Sequence, residues 1–167
     1  MGLRIKGTPV ERIAGIEFSH KLIEECARKN FSVALIGAKP HILEKTVENL
    51  KKDIENLNIV YAQDGYYENR QAVLNELKEK APQLVLVALG SPKQEEFIQF
   101  ARDLLPRSVM IGVGGSFDVW SGEVQRAPEI YQKLGIEWLY RTIKEPQRFK
   151  RIFPTLPRFL FRVILDK

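Results

Sequence analysis

An apolar run and a polar run meet in "LVLVALGSPKQEEF", residues 84–97. The first part, Leu84–Gly90, is too short and too continuously apolar for a surface helix, so it is predicted to be a buried strand. In the second part, Ser91 is a favourable N-cap and Pro92 suits the first helical position. Ser91 and Gln94 also have the spacing of a capping box. The stretch therefore predicts a strand-to-helix turn with polar residues at the strand's carboxyl end, where open α/β sheets place their ligands.

Strand-like and helical patterns alternate through most of the chain. Three more strand-like runs cover residues 31–37, 58–62 and 108–115, and helical patterns cover residues 18–29, 40–56, 68–80 and 92–105. This alternation predicts βαβ crossovers and a mostly parallel sheet. We therefore predict an α/β, Rossmann-like fold, with helices flanking the sheet and a basic helical appendage at the C-terminus.

The composition fits one soluble domain with a sizeable core. The chain has 167 residues, of which 44% are hydrophobic and 28% charged, and no apolar run approaches the roughly 18 residues of a membrane span. The single cysteine, Cys26, lies in an apolar helical pattern and is predicted to be a buried small hydrophobe rather than a nucleophile. The sequence has only two histidines and no Asp-x-Asp motif. We therefore predict no metal site.

Basic residues are concentrated near the C-terminus. Residues 141–167 contain eight Lys or Arg and two acidic residues, whereas the whole chain has a net charge of +5. Four of the cations are spaced to form one stripe of a helix: Arg141, Lys144, Arg148 and Arg151. A solvated face and an anion-binding face remain equal alternatives for this stripe.

The last residues combine basic, aromatic and aliphatic side chains in "FPTLPRFLFRVILDK", residues 153–167. Such a tail favours contact with a membrane surface, and a core-packing helix or a protein-docking segment is the competing interpretation. We therefore divide the chain into a core, residues 1–135, and a basic amphipathic appendage, residues 136–167.

Glycine-rich junctions follow the four predicted strands. They cover residues 37–40, 63–67, 90–94 and 112–118. Glycine lets a backbone approach a ligand, and helix N-termini attract anions, so these junctions predict a binding edge. "GVGGSFD" is not the dinucleotide fingerprint, because the third glycine position falls on Phe117, and no P-loop motif occurs. Any nucleotide must therefore be bound by another arrangement.

Five motifs occur in the order of a known family. They are "GTPVERIAG" (7–15), "DGYY" (64–67), "ALGSPKQE" (88–95), "GVGGSFDVWSGEVQRAP" (112–128) and "GIEWLYRTIKEPQR" (135–148). In these motifs the chain resembles the WecG/TagA/CpsF glycosyltransferases of bacterial cell-surface polymer synthesis, most of all the wall teichoic acid enzymes. The resemblance implies inverting transfer of N-acetylmannosamine from UDP to undecaprenyl-diphosphate-linked N-acetylglucosamine, with no required metal and no cofactor.

The resemblance also implies catalytic and diphosphate-binding roles. Gln94 matches a pocket residue near the sugar and the reaction centre, and Arg12 matches an arginine that assists the active site. Arg141, Arg148 and Arg151 match basic residues that close over the UDP diphosphate. A transferase without a metal must neutralise its departing diphosphate with cations, and the bidentate fork of arginine suits that task.

The remaining substrate-binding candidates lie in the junctions. They are Asp64, Gly65, Tyr66, Gly90, Ser91, Gly114, Gly115, Asp118 and Arg126. For Asp118 and Arg126, hydrogen bonds that fix a loop are an equal alternative to ligand contact. For Gln94 the capping role competes with the pocket role, because one side chain cannot serve both, and we favour the pocket.

Family members carry a further N-terminal segment with an Ala-Asp-Gly motif, whose aspartate acts as the general base. The sequence has no such motif, so we expect the chain to be N-terminally incomplete and to lack the family's base. Asp64 and Glu95 are carboxylates near the predicted ligand edge, and we disfavour both as substitutes. A nucleotide-sugar-binding fragment without turnover and a membrane-docking module are therefore the alternatives to an active transferase.

The resemblance further implies the partners and the location of the protein. The expected partners are a UDP-sugar donor, an undecaprenyl-diphosphate-linked acceptor and the membrane surface, which the C-terminal tail would contact. This places the protein in the bacterial cytoplasm, peripheral on the cytoplasmic face of the membrane. No nucleic-acid partner is expected, and self-association stays open.

Overall fold

A computed structural model describes residues 13–125, 128, 161 and 162, and Ala14–Gln125 form one compact unit. Its elements in chain order are α1 (Gly15–Arg28), β1 (Ser32–Gly37), α2 (Pro40–Asp53), β2 (Asn58–Gln63), α3 (Arg70–Lys80), β3 (Leu84–Ala88), α4 (Lys93–Ala101), β4 (Val109–Gly112) and α5 (Ser116–Trp120). The predicted alternation of helices and strands is confirmed. The proposed boundary at residue 135 and nearly all of the appendage lie outside the described residues.

The four strands form one parallel sheet in the order β2-β1-β3-β4. Strand β1 pairs with β2 on one side and with β3 on the other. The chain thus builds outward from β1 to β2 and then returns to the opposite side of β1 for β3. In open α/β sheets, such a reversal of strand order creates a crevice beyond the carboxyl ends of the two central strands.

The buried central strands explain why their sequences are continuously apolar. All five residues of β3 are buried. Leu84 and Leu86 pack in a cluster with α1, α2 and α5, whereas Val85 and Val87 pack in a second cluster with α3 and α4. Helices therefore cover both faces of the sheet, and a strand between two helical layers has no solvent side on which to place polar residues.

Strand β4 is shorter and more exposed than its sequence predicts. The predicted strand covers residues 108–115, but β4 ends at Gly112, and its four residues are exposed or half-buried. After Gly112 the chain turns, and Gly114 has a φ of +52°, which a strand does not permit. The turn leads directly into the short helix α5.

Helix α5 is fixed to α2 by polar side chains. The hydroxyl of Thr46, which is fully buried, lies 2.7 Å from the carbonyl oxygen of Ile42 and 3.1 Å from that of Phe117. The side-chain amide of Asn49 donates a 2.8 Å hydrogen bond to the carbonyl of Trp120. These contacts hold α5 at the carboxyl edge of the sheet.

Two simpler predictions also have clear outcomes in the described residues. Cys26 is a buried free cysteine, and burial raises the pKa of its thiol, with a further contribution from Glu25. This confirms its interpretation as a core residue. None of the described helices is long and apolar enough to cross a membrane.

Candidate active site at the carboxyl edge of the sheet

Backbone hydrogen bonds join the junctions after β1, β2 and β3. The amide of Ala38 donates to the carbonyl of Ala88 at 3.0 Å, and the amide of Gly65 donates to the carbonyl of Ala38 at 2.8 Å. Gly37 has a φ of +119°, and a Cβ at this position would lie 2.5 Å from both the carbonyl carbon and oxygen of Ala88. Glycine is therefore required where β1 and β3 end side by side.

A side chain joins the junctions after β3 and β4. The Oε1 atom of Gln94 accepts a 3.0 Å hydrogen bond from the amide of Gly114, and its Nε2 atom donates a 3.0 Å hydrogen bond to Glu95 Oε1. Gln94 is half-buried. Its carboxamide therefore lies at the sheet's carboxyl edge, and its role beside the sugar remains a prediction.

The predicted capping box is wrong. Helix α4 begins at Lys93, its N-cap is Pro92, and no side chain of the described residues caps it. The Ser91–Pro92 peptide bond is cis, and Ser91 is exposed. Because the side chain of Gln94 is bonded to Gly114 instead of folding back on the helix terminus, the conflict between its capping role and its role at the edge does not arise.

Two glycines of the edge adopt left-handed backbone conformations. Gly90 has a φ of +74° and Gly114 a φ of +52°, and a Cβ at either position would meet no atom of the described residues within 4 Å. Within that part of the chain, their identity is explained by backbone conformation and not by a close neighbour.

The junction after β2 is an internally bonded turn. Oδ1 of Asp64 accepts a 2.8 Å hydrogen bond from the amide of Tyr66, and Oδ2 lies 3.3 Å from the side-chain amide of Gln63. A Cβ on Gly65 would lie 3.1 Å from the side chain of Leu89. Asp64 and Gly65 thus have structural explanations within the turn, whereas the Tyr66 side chain is 68% exposed.

A model of the Glycosyl transferase WecG/TagA/CpsF family matches residues 1–167. The chain belongs to this family. The match confirms the resemblance carried by the five motifs, and it supports a role in glycosyl transfer with a sugar donor and an acceptor. The carboxyl edge of the sheet is thus the candidate active site of a WecG/TagA/CpsF glycosyltransferase, because ligands of open α/β folds bind at this edge.

The structure describes only part of the predicted WecG/TagA/CpsF site. Gly115 precedes α5 as its N-cap, and Asp118 is half-buried in the first turn of that helix. The carbonyl of Asp118 accepts hydrogen bonds from the hydroxyl of Ser121 and the amide of Val124. Five predicted residues lie outside the described part of the chain, and their roles remain predictions: Arg12, Arg126, Arg141, Arg148 and Arg151.

A second concave surface lies between α2 and the edge strand β2. This cleft has a volume of about 460 Å³ and is lined by Pro40, Leu43, Glu44, Val47, Glu48, Ala62, Gln63 and Asp64. Its three carboxylates would repel the diphosphate of a nucleotide donor. The cleft shares Pro40, Gln63 and Asp64 with the junctions after β1 and β2, so its carboxylates make the β2 side of the edge a poorer donor site than the β3 side.

One residue of the site was missing from the predicted set. Gly112 ends β4, and a Cβ there would lie 2.7 Å from Nε2 and 2.9 Å from Cδ of Gln94. The sequence signal was a glycine at the end of a strand pattern, which often marks the close approach of another group. Which group approaches could not be predicted, because Gln94 belongs to a different junction.

Proposed function

We propose that this chain acts as an inverting, metal-independent glycosyltransferase of wall teichoic acid type. It would move an N-acetylaminosugar, N-acetylmannosamine in the first instance, from UDP to undecaprenyl-diphosphate-linked N-acetylglucosamine. The observation that carries the proposal is the carboxyl edge of a WecG/TagA/CpsF chain, where the Gln94 carboxamide joins two glycine-rich junctions. Sugar hydroxyls both donate and accept hydrogen bonds, and a neutral carboxamide can do the same.

Two helix termini support binding of the donor at this edge. Helices α2 and α4 begin at Pro40 and Lys93, directly after the junctions of the two central strands. The dipoles of these helices favour an anion such as a diphosphate at their N-termini. The sequence contains no Asp-x-Asp motif, so we assign charge neutralisation to the cations Arg141, Arg148 and Arg151.

The proposed reaction is a single displacement. An acceptor hydroxyl oxygen forms a bond to the anomeric carbon as the bond between that carbon and the UDP oxygen breaks, and the electron pair leaves with the diphosphate. The proton of the hydroxyl passes to water, because the sequence has no Ala-Asp-Gly motif to supply the base. Attack from the opposite face inverts the configuration at that carbon. Cations held against the diphosphate would stabilise the charge that develops on the leaving group, and such electrostatic stabilisation is commonly a large part of catalysis.

Calorimetric titration with UDP tests the donor assignment. Arg148→Ala and Arg151→Ala should each weaken UDP binding about ten- to a hundredfold, since one charge-assisted contact is worth roughly 1.5–3 kcal/mol. Lys150→Ala is the matched control, because it removes a neighbouring positive charge outside the stripe. EDTA should leave the affinity unchanged. Parental affinity in both arginine variants, or loss of binding in EDTA, would contradict the assignment.

The proposed acceptor is lipid-linked, and we assign membrane contact to the basic, aromatic tail. Phe161 is 66% exposed and Arg162 is also exposed, which supports a role at a surface. Such a tail would bind reversibly at the cytoplasmic face of the membrane, with each basic residue contributing about 1 kcal/mol at an anionic surface.

Liposome cosedimentation tests the role of this tail. Arg158→Ala/Arg162→Ala should reduce binding to anionic vesicles about thirtyfold, the equivalent of about 2 kcal/mol, and added salt should weaken binding of the parent chain. Lys51→Ala/Lys52→Ala removes the same charge from exposed positions at the end of α2 and should bind like the parent. Equal loss of vesicle binding in both double variants would show that binding depends on the net charge of the chain and not on the tail. Unchanged binding in both would refute the tail's role.

A further inference from the structure

The Gln94 carboxamide connects two parts of the edge that are 20 residues apart in the chain. Its Oε1 accepts the Gly114 amide hydrogen at 3.0 Å, and its Nε2 donates to Glu95 at 3.0 Å. Gly114 has a left-handed φ of +52°, and no atom of the described residues lies within 4 Å of a Cβ position there. The carbonyl of the preceding residue, Val113, accepts hydrogen bonds from the amide and the hydroxyl of Ser116. The contact from Gln94 therefore adds a second restraint, on the N–H side of the same peptide.

Gly112 makes room for this contact. The distances from an added Cβ would be 2.7 Å to Nε2, 2.9 Å to Cδ and 3.2 Å to Cγ of Gln94. These distances are below van der Waals contact, so the carboxamide lies directly over the Gly112 backbone. Any side chain at this position would displace the carboxamide from the Gly114 amide.

We propose that Gly112 and Gln94 form a positioning pair. Gly112 acts through Gln94, and the Gln94 carboxamide fixes the Gly114 peptide in the orientation that the donor meets. The role in donor binding rests on the proposed function, whereas the coupling between the two residues does not. Gly112 is thus a positioning residue of this site, and its role depends on having no side chain.

The fixed Oε1 also sets the direction of the remaining Nε2 hydrogen. A primary amide has two N–H donors in one plane, and one of them is used by Glu95. Because the hydrogen bond from Gly114 fixes that plane, the second N–H has a defined direction as well. A sugar hydroxyl or a phosphate oxygen is the class of ligand atom that would accept it.

This pair differs from an ordinary structural contact in how it responds to substitution. The atoms that an alanine at position 112 would meet belong to the far end of a flexible side chain. Gln94 can swing away with little loss of folding stability, but the hydrogen bond to Gly114 is then lost. Gly112→Ala should therefore change the site while leaving the core intact.

Hydrogen exchange at single amides, followed by NMR on the isotope-labelled chain, tests the pair. Gln94→Met keeps the side-chain volume and removes the acceptor. It should speed exchange of the Gly114 amide about fivefold, the equivalent of about 1 kcal/mol. Gly112→Ala should have a similar effect, and the double variant should show no further increase, because both changes break the same bond. Core amides of β3 should exchange at the parental rate.

Gly15→Ala is the matched control, since a Cβ there meets no atom of the described residues within 4 Å, and it should not alter exchange at Gly114. Unchanged Gly114 exchange in either single variant, additive effects in the double variant, or faster exchange throughout β3 would overturn the positioning pair.

Binding of UDP-N-acetylmannosamine is the second measurement. Its affinity should fall in both single variants and fall no further in the double variant. If the parent chain does not bind this donor, the proposed function fails, and the exchange data alone decide whether the pair exists. If the parent binds but both variants bind equally well, the positioning role in donor binding is refuted.

Discussion

The two halves of the carboxyl edge are held together by different means. In the half built on β1 and β2, main-chain groups make the connection: the Gly65 amide is bonded to the Ala38 carbonyl at 2.8 Å. In the half built on β3 and β4, the Val113 amide is bonded to the Val87 carbonyl at 2.8 Å, and beyond this main-chain pair the side chain of Gln94 reaches the Gly114 amide. The outermost contact of the first half is therefore made by main chain, whereas that of the second is made by a side chain that can move.

The same difference appears in the two closely approached glycines. At Gly37 a Cβ would lie 2.5 Å from the main chain of Ala88, which is fixed within the sheet. At Gly112 a Cβ would meet the end of the Gln94 side chain. A clash with main chain is relieved only by moving strands, whereas a clash with a long side chain is relieved by a change of rotamer.

The largest expected effect is therefore on the β1 side. Gly37→Ala should lower the free energy of unfolding by roughly 2–4 kcal/mol, since it combines a strained positive φ with contact against main chain. Urea denaturation followed by circular dichroism measures this change. Gly112→Ala, in the other half, should lower the free energy of unfolding by less than about 1 kcal/mol in the same measurement.

Gly15→Ala serves as the control for both substitutions. Its free energy of unfolding should be unchanged or should rise by up to about 1 kcal/mol. Equal losses in Gly37→Ala and Gly112→Ala would show that the two halves are equally rigid. That result would contradict the proposed difference between the β1/β2 half and the β3/β4 half of the edge.

A smaller effect is expected at Asp64, whose carboxylate holds the amide of Tyr66. Asp64→Ala should cost about 0.5–1.5 kcal/mol of stability, the usual contribution of one such hydrogen bond, and should change UDP affinity less than twofold. Asp103→Ala is the comparison, because this exposed carboxylate pairs only with its neighbour Arg102 among the described residues. A tenfold loss of UDP affinity in Asp64→Ala would instead indicate that Asp64 takes part in UDP binding.

Much of the fold could be predicted because burial on both sides leaves a clear trace in the sequence. The run Leu84–Ala88 is apolar at every position and buried at every position, and parallel pairing follows from the helices between successive strands. The convergence of the four junctions followed from that topology. Strand β4 was harder to delimit, since "VMIGVGG" continues to look apolar after the chain has turned.

The site could be predicted only in part because its decisive contacts are not local. Ser91-Pro92-Lys93-Gln94 satisfies a local rule for a capping box, but Gln94 instead bonds to Gly114 in the next junction. The role of Gly112 could not be predicted for the same reason, because Gln94, the residue it accommodates, belongs to a different junction. The attachment of α5 through Thr46 and Asn49 also crosses between distant segments, and no local pattern indicates it.

Titration of the isotope-labelled chain with UDP, followed through its amide NMR signals, tests most directly whether the donor binds at the glycine-rich edge. The amides of Gly90, Gly114 and Gly115 should shift with a common dissociation constant, while those of Val47 and Ala62 in the acidic cleft should not. Shifts confined to the α2–β2 cleft, or no shift at either place, would contradict donor binding at the carboxyl edge of the sheet.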